Sequence, residues 1–386
     1  MDNLYFTEEH LMLRDMVREF AINEVRPLSA NIDKQSIFPE ENIKKMAELG
    51  LMGIPWDQKY SGTGMDIRAL AIAIEELGKE CASTAATMMA HTSLGTAPIA
   101  IFGTDDQKQK YLPLLATGQM LGAFGLTEPE AGSDAGNTQT KAVKHGNDYI
   151  INGQKVFCTN AGKAGLIIIT ASIEDDGENH GIGAFIIESD NPGLKIGAPE
   201  NKMGWKGSDT RSIYFEDMKL SKDALLGSPE KGFKQFLQTL TGGRITIGAL
   251  SLGTAQGAYE RAIKYSFERE AFSKPINQFQ GVSFKLSDMA LKIEASKHLV
   301  YNAAWRKDKG MNVIKEAAMA KLFASESAMN ICTEAIQVLG GYGYIHEYDV
   351  ERFFRDAKIL EIGEGTSEIQ RIIISREILK SFQPNE

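Results

Sequence analysis

Along this chain the hydrophobic period changes near Leu121 and changes back near Lys231. The middle stretch carries strand signals. Tyr149-Ile150-Ile151-Asn152-Gly153-Gln154-Lys155-Val156-Phe157 sets Asn-Gly between two apolar runs, which predicts a hairpin. Leu166–Ser172, Ile182–Glu188 and Arg211–Phe215 also read as strands. The flanks read as helices. Before the change, Thr7 caps a first helix, and Pro39 suits the start of a helix that ends at Gly50. Further helical runs follow over Ile67–Leu77, Ser83–Phe102 and Asp105–Ala116. After the change, long runs over about 231–267, 277–308, 312–340 and 366–381 predict a bundle. The expected class is a multidomain α+β protein. It has an all-α N-terminal domain (1–120), a middle β-sheet domain of barrel or sandwich type (121–230) and a C-terminal four-helix bundle (231–386).

A chain of 386 residues is long for a single core, in keeping with that division. Composition excludes several function classes. The net charge of −9 argues against nucleic acid. The longest apolar runs, such as Leu166 to Ala171, are too short to span a bilayer. Met1-Asp2-Asn3-Leu4 opens neither a secretory signal nor a transit peptide, so a cytoplasmic location is expected. Three scattered cysteines suit a reducing compartment. The six histidines form no ligand pair, so no metal is expected. Neither a P-loop nor a dinucleotide fingerprint is present.

Chemistry concentrates in Ile362-Gly363-Glu364-Gly365-Thr366-Ser367-Glu368-Ile369-Gln370-Arg371. Glycines on both sides of Glu364 bare the backbone, so a flat ligand can come close and free N–H groups can bind an oxygen. That layout suits a general base beside an oxyanion site, or simply a glycine-rich helix end whose Glu points into water. Phe124 to Gly136, with Thr127, Gly132 and Ser133, offers hydroxyls and bare N–H groups to a heterocycle or a diphosphate, or forms a plain surface loop. Arg269 is a bidentate cation suited to a diphosphate, or a surface arginine between helices. Gly340-Gly341 allows close backbone approach. Cys158 reads as a small buried hydrophobe.

The Ile362–Arg371 segment resembles the catalytic-base signature of the acyl-CoA dehydrogenases, flavoenzymes that oxidise acyl-CoA thioesters to 2-enoyl-CoA. The α–β–α order is similar over nearly the whole chain. The resemblance implies that Glu364 takes the α-proton and that FAD N5 takes the β-hydride, with the thioester oxygen held by the Glu364 N–H and a ribityl hydroxyl. It implies FAD contacts from Phe124, Leu126, Thr127, Gly132, Ser133, Phe157, Thr159, Thr366 and Glu368. Arg269, Phe272, Gln280, Gln337, Gly340 and Gly341 would reach the FAD of a neighbouring subunit, so a homotetramer, a dimer of dimers, is implied. Ser133, Thr241, Arg244 and Gly365 would contact acyl-CoA, and an electron-transferring flavoprotein would accept the electrons.

Four positions bear on the family pattern. Phe157 stands where Trp is usual and Thr241 where Asp is frequent. Gly243 stands where a minority of members place the base, which leaves Glu364 alone in that role. The similarity leans to the short-chain, butyryl-CoA branch, where the Gly363 position is often Tyr. The Ser83–Ile101 segment, expected to line the acyl pocket, has His91 but no Arg or Lys, which disfavours glutaryl-CoA. Medium or branched chains, an acyl-CoA oxidase, an enoyl-CoA reductase on the same site and a non-catalytic helical scaffold are the alternatives.

Overall fold

The computed structural model describes residues 2–382. Met1, where the reading of the N-terminus begins, and residues 383–386, which close the last expected domain, lie outside the described residues. Helices occupy the chain up to Ala116, strands run from Gly122 to Leu226, and helices return from Gly232 to Ser381. That is the α–β–α order expected.

Local chemistry sets the helix ends. Thr7 and His10 close a capping box on the Glu8–Phe20 helix, with Thr7 Oγ1 2.7 Å from His10 Nδ1. Asp66 Oδ1 accepts from Ala69 N at 3.0 Å to start Ile67–Gly78. Thr104 and Gln107 close a second capping box on Asp105–Ala116. The Ser83–Phe102 run is helical but uneven. Ala82–Met89 passes into a π-turn over Ala90–Thr96 before Ala97–Phe102 resumes. Pro98 is the cause: it lacks an N–H, and its ring would press on a carbonyl one turn back. The wider turn makes room, and Thr96 Oγ1 donates to His91 O at 2.9 Å.

The strands of the middle region are β1 (Gly122–Gly125), β2 (Lys141–His145), β3 (Asp148–Thr159), β4 (Leu166–Asp175), β5 (Glu178–Glu188), β6 (Leu194–Pro199), β7 (Thr210–Leu220) and β8 (Leu225–Leu226). They form one sheet in the order β6-β7-β3-β2-β4-β5-β8, with β1 parallel to the start of β4. The expected hairpin at Asn152-Gly153 is not there. β3 runs through those residues, and the chain reverses at Gly146-Asn147, where His145 pairs with Asp148. The same backbone tolerance serves both places. Gly146 takes φ +63° in the turn, whereas Gly153, at φ +142°, lies in a bulge where a Cβ would come 2.7 Å from Thr140 Cα.

The long Gly232–Glu268 helix is the spine. It packs on Gln280–Asp308 and Ile314–Leu339 and also on the N-terminal helix Ile67–Gly78. Gly253 permits that crossing, since a Cβ there would come 2.2 Å from Glu75 O. Residues from both helical regions, including Leu70, Leu250, Tyr301 and Phe353, therefore share one core, while Ile151, Ile167, Phe185 and Met218 fill a separate core in the sheet.

Candidate active site

Glu364 follows the short turn Ile359–Glu361 and precedes the helix Ser367–Ser381. Its backbone is left-handed at φ +54°, and Gly365 continues at φ +94°. Three groups hold this turn. Thr366 Oγ1 accepts from Ile369 N at 3.3 Å and caps the helix. Gln370 Nε2 donates to Gly365 O at 2.8 Å and to Glu364 O at 3.4 Å. Lys321 Nζ donates to the same Gly365 carbonyl at 2.8 Å.

The turn lays the carboxylate over Gly243. A Cβ at 243 would come 1.8 Å from Glu364 Oε2 and 3.4 Å from Leu94 Cδ2. Glycine at 243 therefore gives the carboxylate its space. Both carboxylate oxygens are shielded and have no hydrogen-bond partner among the described residues. Burial pushes the Glu364 carboxyl up to about 7, while the charges of Lys321 and Arg244 pull it back. Arg244 is itself buried, with Nε unpartnered and Nη1 donating to Thr241 Oγ1 at 3.3 Å; desolvation brings it down to about 10. Thr241 faces inward, its hydroxyl donating to Leu237 O at 3.0 Å.

The second cluster sits on the sheet. Phe124 in β1 stacks on Phe236 with centroids 4.2 Å apart. Leu126 and Thr127 are half-buried, and the Thr127 carbonyl accepts from Val156 N at 2.8 Å. Gly132 and Ser133 are exposed, with open space where a Gly132 side chain would lie. A register shift between Lys155 and Cys158 turns Phe157 outward at φ +57° and 67% exposure. Thr159 beside it is half-buried. Cys158 points inward, and burial lifts its thiol to about 12, so it is no nucleophile.

Sequence reasoning missed the clasp beneath this cluster. Lys155 and Glu128 are both buried and meet at 2.6 Å. Lys155 Nζ also donates to Leu126 O at 3.3 Å and Thr170 Oγ1 at 3.1 Å. Glu128 accepts from the backbone N–H groups of Gln139 and Thr140 at 2.6 and 3.1 Å. The loop that carries Leu126 and Thr127 is thus fixed to β3 by a satisfied network. Lys321 was missed too. The signal was a lysine inside Ala317-Ala318-Met319-Ala320-Lys321-Leu322, a run otherwise made for the core.

The third cluster lies at the other end of the helical bundle. Arg269, Gly340 and Gly341 line a cavity of about 450 Å³ with Tyr265 and Tyr342. The Arg269 guanidinium is 5.8 Å from the Tyr342 ring centroid. Phe272 is 92% exposed at φ +49°; Gln280, at the start of its helix, and Gln337 are also exposed. Glu368 is exposed in the first turn after Thr366. The geometry brings Glu364, Gly365, Thr241 and Arg244 together, and separately Arg269 with Gly340 and Gly341.

These residues fit a flavin dinucleotide. Phe157 shows an aromatic face, Thr127, Ser133 and Thr159 show hydroxyls, and Gly132 leaves its surroundings open. His91 adds a negative feature to the segment that carries Leu94. It is fully buried, Nδ1 accepts from Gly122 N at 2.9 Å, and Nε2 is 3.1 Å from Leu115 O, its hydrogen-bond acceptor. Burial lowers its pKa to about 4, so it is neutral and both nitrogens are spent on backbone.

Similarity to known proteins agrees with this geometry. Residues 7–119, 123–218 and 230–379 match, in turn, the N-terminal, middle and C-terminal domains of acyl-CoA dehydrogenase. The chain is 47% identical over 374 residues to the short-chain specific acyl-CoA dehydrogenase of Clostridium acetobutylicum, covering 97% of this chain and 99% of that protein. Butyryl-CoA dehydrogenase of Megasphaera elsdenii superposes with a TM-score of 0.94 at 42% identity, covering 97% and 99% of the two chains. A chain solved in work on the electron transferring flavoprotein of Acidaminococcus fermentans superposes at 0.95 with 46% identity, covering 98% and 99%. With all three domains matched in order over residues 7–119, 123–218 and 230–379, the chain belongs to the acyl-CoA dehydrogenase family.

Proposed function

We propose that the protein is an FAD-dependent dehydrogenase that converts a short, uncharged acyl-CoA to trans-2-enoyl-CoA, with Glu364 as the base. The observation that carries this is the Glu364 carboxylate: buried, without a hydrogen-bond partner, and raised to about 7. A base poised near neutral pH is matched to a weak carbon acid. In this reading Glu364 removes the α-proton, and Lys321 and Arg244 favour its ionised form before it does so. The apolar wall from Leu94 keeps water from the carboxylate. Phe157, Thr127, Thr159 and Ser133 are the residues that would hold the flavin, Phe157 through its ring and the others through their hydroxyls. Bound FAD supplies the acceptor for the hydride that leaves the β-carbon.

The same reading makes the Arg269, Phe272, Gln280, Gln337, Gly340 and Gly341 group the binding face for a neighbouring subunit's FAD, within a homotetramer. Its exposure and its open cavity support that. An electron-transferring flavoprotein as acceptor is supported by the setting in which the Acidaminococcus chain was solved. A cytoplasmic location goes with three free, buried cysteines. No helix among the described residues is long and apolar enough to cross a membrane. Domain borders near 120 and 230 belong to the same proposal.

Chain charge follows from His91 and its segment. A second carboxylate on the acyl chain would meet Met88, Met89 and Leu94 but no cation on that segment, at a cost of several kcal/mol for an unpaired buried ion. A neutral chain has no such penalty, and each added methylene gains ~0.8 kcal/mol only where there is room. The test is anaerobic bleaching and kcat/KM with butyryl-, octanoyl-, isovaleryl- and glutaryl-CoA. Butyryl-CoA is expected among the best and glutaryl-CoA poor. Glutaryl-CoA equal to butyryl-CoA would sink the pocket reading, and octanoyl-CoA in first place would sink only the length.

A further inference from the structure

Among the described residues Lys321 has no counterion in contact. It is fully buried on the Ile314–Leu339 helix among Ala317, Ala320 and Ala324, and its hydrogen bond goes to the neutral carbonyl of Gly365. Taking an ammonium out of water for one neutral acceptor is an expensive way to hold a carbonyl. Gln370 Nε2 donates to the same carbonyl at the same 2.8 Å, so a neutral side chain is able to make this bond. What Gln370 cannot supply is charge. The nearest use for charge is the Glu364 carboxylate, one residue from the carbonyl that Lys321 grips.

We propose that Lys321 is a positioning residue for the base: it fixes the left-handed turn that lays the Glu364 carboxylate over Gly243, and it is a standing positive charge that favours the ionised carboxylate. The proposal rests on the reading of Glu364 as the base. Two features of the turn support it independently. Glu364 holds φ +54°, a conformation that costs a non-glycine residue energy and needs outside support. The carboxylate has no bond of its own, so its place is set through the backbone that Lys321, Gln370 and Thr366 restrain.

The charged groups around the pair are few. Glu364 is faced by Lys321 from one long helix and Arg244 from another. Lys321 in turn feels Glu364, Glu361 and Glu326 as attractive charges and Arg244 as a repulsive one. Burial lowers the Lys321 ammonium to about 8, above the value of about 7 to which Glu364 is raised, so it is mostly charged at the midpoint of the Glu364 titration. Without Lys321 the base would face one cation, Arg244 on the side of Thr241, and the turn would keep only Gln370 and Thr366.

The test uses the holoenzyme with Lys321→Met, which keeps the length and removes the charge, and Lys321→Gln, which keeps a donor. Two readouts are taken: the acidic limb of the kcat/KM profile, and the Glu364 carboxyl stretch in infrared titration of ligand-free protein, assigned by its loss in Glu364→Gln. Both variants are expected to move both readouts to higher pH by about one unit or more, so that activity below the limb falls about tenfold. A purely structural lysine would lower stability and leave both titrations in place. A limb and a stretch unchanged in either folded variant would overturn the proposal. If neither variant folds, titration of the Lys321 ammonium by NMR decides. Its pKa should drop in Glu364→Gln, and an unchanged value would overturn the coupling. Full activity in Glu364→Gln would instead overturn the base reading and leave the Lys321–Glu364 coupling to be judged on the infrared titration alone.

Discussion

Glu364 is held in a conformation and a surrounding that an isolated glutamate avoids. Its left-handed backbone and its unpaired carboxylate both cost stability, and both place a proton acceptor in a water-poor seam. The cost has a pH sign. The folded-state pKa of about 7 lies above the ordinary value of about 4.3, so the folded protein binds this proton more tightly than the unfolded chain. The favourable contribution is complete below pH ~4.3 and is lost as pH rises through about 7. Glu364→Gln is therefore expected to be more stable than the wild type at pH 8, by about 1–3 kcal/mol, with the gain fading toward pH 4.5. Urea unfolding at the two pH values measures it, and a mutant no more stable at pH 8 would contradict the strained-base picture. The glutamate was legible in sequence because its two flanking glycines are adjacent to it. Lys321 was not, because its partner Gly365 is 44 residues away and only the fold brings them together.

At the scale of elements, what the sequence showed was periodicity, and what it hid was the use of special residues. The long helices were readable because many turns repeat one pattern. β2 and β6 escaped because they are short and mostly exposed, so no alternation marks them. Asn152-Gly153 pointed to a turn, but glycine's tolerance serves a bulge equally, and only the partner strands β2 and β7 decide between them. The Lys155–Glu128 clasp makes the next prediction. Lys155→Met leaves Glu128 buried and unpaired, which costs about 3–5 kcal/mol and loosens the Leu126–Thr127 loop. Melting temperature and FAD content should both fall. Adding Glu128→Gln removes the stranded charge and should recover part of the loss. A single mutant with wild-type melting and FAD content would show that the clasp does not hold the loop.

At the scale of the whole molecule, the proposed active site exists only where separate parts of the chain meet. Gly243 lies under the carboxylate, Leu94 comes from the N-terminal helices, and the Phe124–Phe236 stack joins the sheet to the helical spine. In the proposed function the exposed Arg269 cluster extends the same principle to a second copy of the chain. Arg269→Ala is expected to weaken FAD retention by ~1.5–3 kcal/mol and to loosen the oligomer with it, read as FAD occupancy and size by gel filtration. Full occupancy in the mutant, or a stable flavin-free monomer in the wild type, would contradict a shared site. The central claim, that one buried glutamate performs the proton abstraction, is tested most directly by mixing Glu364→Gln holoenzyme anaerobically with butyryl-CoA. The account predicts a yellow protein that still binds the thioester but bleaches slower by ~10²–10⁴-fold or more. Bleaching at the wild-type rate would contradict it.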